Sequence, residues 1–416
     1  MVPNGWERKP IKELCESIID CVNKTAKHVD YVTPYKMIRT TNVRNGRVDT
    51  NNVRYVEKDT YTQWIRRGAP QNGDIIFTRE APVGEAGILE NAQGIFLGQR
   101  TMMYRAHPDK SDNKYIFYSL MSGYCQKQIE DFSNGGTVAH MRVPDCGELI
   151  INTPPLPEQR KIAQILSTWD RSIAITEKLI DTSKQQKKAL MQQLLTGKKR
   201  LVNPETGKAF EGEWEEVKLS HFFNRVTEKN KGQSTNVVTI SAQHGLIRQE
   251  EFFKKSVASE TLDNYFILRK GQFAYNKSYS NGYPMGAIKR LNRYEDAVVT
   301  SLYICFELKN EQLASSCFME QYFESGLLNR GLTKVAAEGG RAHGLLNVKP
   351  ADFMALAVTA PRLEEQQKIA SVLTTADNEI EVLEAKLAHL KQEKKALMQQ
   401  LLTGKRRVKV DEEVAA

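Results

Sequence analysis

Long apolar runs are the first thing missing from this 416-residue sequence. Its apolar runs, such as Ile150-Ile151 and Leu345-Leu346, fall far short of the roughly 18 residues of a membrane span. Met1-Val2-Pro3-Asn4-Gly5-Trp6-Glu7 has no basic region leading into an apolar one, so no signal peptide is expected. Membrane and secreted classes drop out, and a cytoplasmic location is expected. Cysteine is sparse: Cys15, Cys21, Cys125, Cys146, Cys305 and Cys317 form no CxxC pair. The expectation is buried free thiols in a reducing compartment, with no zinc site and no disulfide frame.

Catalytic signatures are missing too. Thr196-Gly197-Lys198 and Thr206-Gly207-Lys208 lack the upstream glycine and the following hydroxyl of a phosphate-binding loop. No glycine-rich dinucleotide motif is present. Asn152-Thr153-Pro154-Pro155 lacks the aromatic residue of an amino-methyltransferase motif, and Pro144-Asp145 with Glu148 lacks the lysine of a nuclease cluster. Seven histidines show no HExxH spacing. No catalytic, cofactor or metal site is expected in the chain.

What is present is a repeat. Residues 154–201 and 361–408 align without a gap at an offset of 207, with 27 of 48 positions identical. Twelve are consecutive, Lys187 to Lys198 against Lys394 to Lys405. Fainter echoes lie between the copies. Trp6 answers Trp214, Gly73-Asp74-Ile75-Ile76-Phe77 answers Gly271-Gln272-Phe273-Ala274-Tyr275, and Pro82-Val83-Gly84 answers Pro284-Met285-Gly286. The organisation expected is therefore block 1–153, helix 154–201, block 202–360, helix 361–408 and tail 409–416.

Each repeat copy reads as a long helix, entered at a proline, with Glu158 suited to the positive end of the first helix dipole and Gly197 as its C-cap. Its seam steps 4-3-4-3: Ile162, Leu166, Trp169, Ile173, Thr176, Ile180, Ser183, Lys187, Leu190, Leu194. The second seam is Ile369, Leu373, Ala376, Ile380, Leu383, Leu387, Leu390, Lys394, Leu397, Leu401. If the seams pair, connectivity makes them antiparallel, a rod of about 57 Å at about 1.5 Å per residue. The fold class expected is α+β: two similar domains at opposite ends of a long antiparallel two-helix coiled coil, with pseudo-two-fold symmetry. Strands are expected at 74–78 and 296–306, and helices at 115–131 and 313–332.

The net charge is +9, and the excess is concentrated: residues 151–200 hold ten Lys/Arg against four Asp/Glu. In the blocks, basic, polar and aromatic residues on turn-like segments are candidates to contact DNA: Arg79, Arg100, His140, Arg142, Lys277, Tyr279, Asn281, Arg341 and His343. Lys188, Gln192 and Gln193 match Lys395, Gln399 and Gln400 although they lie off the seam. A second shared surface that docks a partner is expected there.

The run Pro154-Pro155-Leu156-Pro157-Glu158-Gln159-Arg160-Lys161-Ile162-Ala163, opening a long helix and duplicated about 200 residues on, resembles the specificity subunit of type I restriction–modification systems. The resemblance covers the whole chain, although Arg362 and Glu364 depart from the proline pattern in the second copy. It implies a non-catalytic subunit whose two target-recognition domains each read one half of a bipartite, asymmetric site in double-stranded DNA. It also implies two modification subunits, which are adenine-N6 methyltransferases using S-adenosylmethionine, and two restriction subunits using ATP and Mg. No cofactor is implied for this chain itself. A fused catalytic chain and a coiled-coil scaffold that does not bind DNA are the alternatives. A methyltransferase assay on the isolated chain separates the first, and salt-dependent duplex binding the second.

Overall fold

The computed structural model of the protein describes residues 2–133, 139–241, 244–253, 261–336 and 346–410. The chain forms two compact units, one of residues 1–177 with 385–416 and the other of residues 178–384. Each unit thus takes one block together with half of each long helix.

The helices run Leu156–Leu194 and Leu363–Leu401. Their lengths follow from the absence of proline and glycine between the entry prolines and Gly197 or Gly404, which both end in the left-handed region at φ +69° and +72°. Within the first unit, Glu158 pairs with Arg407 at 2.7 Å, Asp170 with Lys394 at 2.5 Å and Glu177 with Lys391 at 2.9 Å. One series of numbers rises as the other falls, so the helix halves pack antiparallel. In the second unit the pairs are Arg200–Glu365, Lys187–Asp377 and Lys184–Glu384, each at 2.6 Å. These are the same three pairs displaced by the repeat offset.

Each block has its own sheet, and the two have the same strand order. In the first unit a four-stranded antiparallel sheet runs in the order Cys15–Asp20, Thr101–Ala106, Ile75–Arg79, Val83–Ile88. In the second the order is Phe223–Val226, Ile304–Leu308, Phe273–Asn276, Ala287–Arg290. The sequence echo at Ile75 and Phe273 therefore marks equivalent strands. A two-stranded ribbon completes each unit, joining the start of the block to the strand that feeds the long helix: Glu7–Pro10 with Ile150–Thr153, and Glu215–Lys218 with Ala357–Ala360.

Three expectations need correction. The helix expected over 115–131 is two, Asn113–Leu120 and Gly123–Ser133. That expected over 313–332 is also two, Ser316–Glu324 and Asn329–Val335. Their first members are N-capped, Asp112 Oδ1 accepting from Tyr115 N–H and Ser315 Oγ from Phe318 N–H. The strand expected over 296–306 is Asp296–Val299 followed by Ile304–Leu308, because a turn at 300–303 hands the chain from one sheet to another. Cysteine burial holds for Cys21, Cys125, Cys146 and Cys305, whereas Cys15 is half-buried and Cys317 exposed.

Each core takes side chains from both long helices. Ile162, Leu166 and Leu401 are buried with Trp6, Phe77 and Tyr104 in the first unit, and Leu194, Ile369 and Leu373 with Phe223, Phe273 and Phe306 in the second. Burying one such leucine stabilises by about 1.5–3 kcal/mol, so these side chains tie each helix half into its own unit's core.

Candidate nucleic-acid interface

The repeated motif acts first as a clamp. Glu158 is 3% exposed and accepts hydrogen bonds from Trp6 Nε1 (3.0 Å) and from Arg407 Nε and Nη2 (2.7 and 2.8 Å). In the second unit Glu365 accepts Nε and Nη2 of Arg200, each at 2.6 Å, while Trp214 Nε1 is buried without a partner. The next residue acts alike in both units. Gln159 donates to Pro154 O and accepts from Asp112 N–H, and Gln366 donates to Pro361 O and accepts from Ser315 N–H. The Glu-Gln pair thus fixes each helix start to the N-cap of a block helix and to the basic end of the other long helix. The first-turn dipole reading of Glu158 caught the charge and missed both partners.

Every seam position is buried or half-buried, including Trp169, Ile173, Ile180, Leu190, Ile380, Leu383, Leu387, Leu390 and Leu397. The two seam lysines reach an aspartate on the facing helix, where a block side chain joins them: Tyr118 Oη donates to Asp170 at 2.6 Å, and Gln321 Nε2 to Asp377 at 2.7 Å. Burial, and then the Asp170 charge that its proton faces, push the Tyr118 hydroxyl well above its ordinary value. Lys188, Gln192, Gln193, Lys395, Gln399 and Gln400 are all exposed.

The DNA-contact candidates scatter. Arg79 is 7% exposed; it pairs with Asp20 at 3.0 Å and donates to Met141 O. It is an internal brace, and its expected role as a contact residue is withdrawn. Arg100 and His140 come together at Glu80, at 3.2 and 3.6 Å. Arg142 is exposed but engages Asp145 through two nitrogens at 2.7 and 3.0 Å. Lys277, Tyr279 and Asn281 follow the Phe273–Asn276 strand on one loop, with Tyr279 65% exposed and Lys277 half-buried. Arg341 and His343 lie outside the described residues.

One grouping was missed. Arg39 and Arg54 line an open cleft of about 290 Å³ in the first unit with Arg100, Gln99, Thr25, Thr40 and Thr41. Strand pairing brings these segments together: Met37 is the cross-strand partner of Arg54, and nothing in the spacing of 39 and 54 announces it. The second unit has a smaller cavity of about 80 Å³, lined by His244, Lys289, Arg290, Arg293 and Glu320 among others. Among the described residues no cluster of His, Cys, Asp and Glu could hold a metal ion, and no helix is long and apolar enough to cross a membrane.

Comparison with known proteins places these features in a family. The model of the type I restriction modification DNA specificity domain matches twice, over residues 3–184 and 211–392, each match taking one block and most of the helix after it. The type I restriction enzyme MjaVIII specificity subunit of Methanocaldococcus jannaschii is 28% identical, over 84% of this chain and 85% of its own length. The Escherichia coli EcoKI specificity subunit is 23% identical over 59% and 54%. Among solved structures, the type I restriction–modification S subunit from M. genitalium aligns with a TM-score of 0.57 at 18% identity, over 97% of this chain and 98% of its own, which shows a shared fold. The chain belongs to the type I restriction–modification DNA specificity family, as a non-catalytic specificity subunit with two recognition domains.

Proposed function

We propose that each recognition domain binds one half of a bipartite, asymmetric DNA target, and that the two long helices set the length of the spacer between the halves. The observation that carries this is a shared scaffold with different surfaces. The four-stranded sheets match strand for strand, while one domain carries the Arg39–Arg54–Arg100 cleft and the other the Lys277–Asn281 loop. Two readers with unlike surfaces suit a site with unlike halves. The exposed faces that carry Lys188, Gln192 and Gln193, and Lys395, Gln399 and Gln400, are the docks for two methyltransferase subunits. These would supply adenine-N6 methylation with S-adenosylmethionine, and two ATP-driven restriction subunits would complete the nuclease.

The test is a domain exchange. Replacing residues 1–153 with those of a relative should change one half-site of the methylated sequence and leave the other intact, read by mapping methylated adenines in the host genome. Alteration of both half-sites would overturn the two-reader scheme.

A further inference from the structure

The cleft of the first domain holds two arginines, Arg39 and Arg54, whose charge no carboxylate among the described residues neutralises, while Arg100 at its edge pairs with Glu80 at 3.2 Å. Met37 and Arg54 are directly opposed on antiparallel strands, so their side chains stand on one face. Arg39 lies two residues beyond Met37 with extended backbone (φ −109°, ψ 168°) and returns to that face. Its turn is held rigid, because Arg39 N–H donates to Asn42 Oδ1 at 3.0 Å and Asn42 Nδ2 donates to Asn52 O at 2.7 Å. Gln99 and Arg100 enter from the loop after the parallel strand Ile95–Leu97. Gly98 N–H donates to Ile38 O at 2.7 Å, and a Cβ there would sit 2.7 Å from that oxygen, so the close approach requires glycine.

Arg39 Nε is buried without a hydrogen-bond partner, and among the described residues neither Arg39 nor Arg54 has an acidic partner. Burial lowers the Arg39 guanidinium below its ordinary value, and the Arg54 charge acts in the same direction. The second domain's cavity differs. Arg290 Nε is also unpartnered there, but Arg290 pairs with Glu320 at 2.6 Å, Arg293 with Glu251 at 3.7 Å and Lys289 with Glu324 at 2.5 Å.

We propose that the first cleft holds one phosphodiester of the target, with Arg39 and Arg54 as donors, the threonine hydroxyls beside them, and Arg100 at its edge. This rests on the reading of the domain as a DNA reader. A guanine edge could satisfy a guanidinium's hydrogen bonds, but only an anion also relieves the repulsion between two of them. The contact then positions the duplex and does not specify sequence.

The test uses the full chain assembled with its modification subunit. The probes are one short duplex carrying the motif found by mapping methylated adenines and one with that motif scrambled, titrated at several salt concentrations. Arg39→Gln and Arg54→Gln should each weaken binding to both duplexes alike, by about tenfold at 0.1 M salt, and make the log K against log salt slope shallower by about one. The methylated sequence should not change. Because Arg54 is exposed, its variant decides the matter if Arg39→Gln fails to fold. Unchanged binding, or a loss confined to the motif duplex with the slope intact, overturns the phosphate assignment. Absence of salt-dependent binding by the unaltered complex overturns the DNA-reader reading itself.

Discussion

Lys394 Nζ lies 2.5 Å from Asp170 Oδ1, and their repeat counterparts exchange roles, Lys187 Nζ lying 2.6 Å from Asp377 Oδ1. Adding 207 to 170 gives 377, and subtracting it from 394 gives 187, so one pair of motif positions serves both units with the helices swapped. The lysines are 19% and 13% exposed. A seam lysine at that depth is tolerated because the facing helix supplies its carboxylate.

Removing that carboxylate should cost each unit stability. Asp170→Ala takes the carboxylate from Lys394 and leaves the Tyr118 hydroxyl only Ser167 Oγ, at 3.2 Å, and Asp377→Ala takes the acceptor of Lys187 and of Gln321 Nε2. Each should lower unfolding stability by about 1–3 kcal/mol in urea titrations. The isosteric Asn variants should lose less, since they keep an accepting oxygen.

The Glu158 and Glu365 clamps should differ. Glu158→Ala strands both Arg407 and the Trp6 indole, whereas Glu365→Ala strands Arg200 alone, Trp214 Nε1 having no partner to lose. The glutamates are buried but the arginines left behind are 45% and 24% exposed, so each loss should cost about 1.5–3 kcal/mol. The second lost hydrogen bond should make Glu158→Ala the worse by about 1 kcal/mol in matched denaturant melts.

Thiol reactivity should single out Cys317. Burial pushes Cys15, Cys125, Cys146 and Cys305 up to about 12, and Cys21 upward too. The thiolate is the reactive form, and raising a thiol's pKa leaves less of it at neutral pH. An aromatic disulfide reagent at pH 7 should therefore label one exposed site rapidly in the folded chain and the other five on unfolding, located by peptide mass mapping.

Reversing charge at Lys188 and Lys395 together should weaken co-purification with the modification subunit while leaving the melting profile unchanged. Both are exposed, and no ion pair engages either among the described residues. Undiminished assembly would remove this face as the dock.

If the helices set the spacer, lengthening both in phase should lengthen it. One heptad inserted after Glu177 and another after Glu384 keeps each unit's seam and its three ion pairs intact, because the units divide at those two positions. Seven helical residues add about 10.5 Å, or about three base pairs at 3.4 Å each. The methylated motif should keep both half-sites and widen by that amount. An unchanged spacer would make the helices a tether.

The duplication, the two helices and their seams were legible in the sequence, because a helix repeats every 3.6 residues and its pattern is local. Glycine and proline marked the ends for the same reason. The block strands were legible only in part. At 300–303 a turn divides a continuous β-branched and aromatic run between two sheets, and composition does not record which neighbour a strand chooses. The site was least legible. Arg79 resembles a surface contact until Asp20 and Met141 close around it, and Arg39 meets Arg54 only through the pairing of Met37 with Arg54. Periodicity along the chain fixes which face of an element is apolar. Which charged side chain finds a partner, and which is left in a cleft without one, depends on contacts between residues far apart in sequence, and those exist only once the sheets and helices have packed.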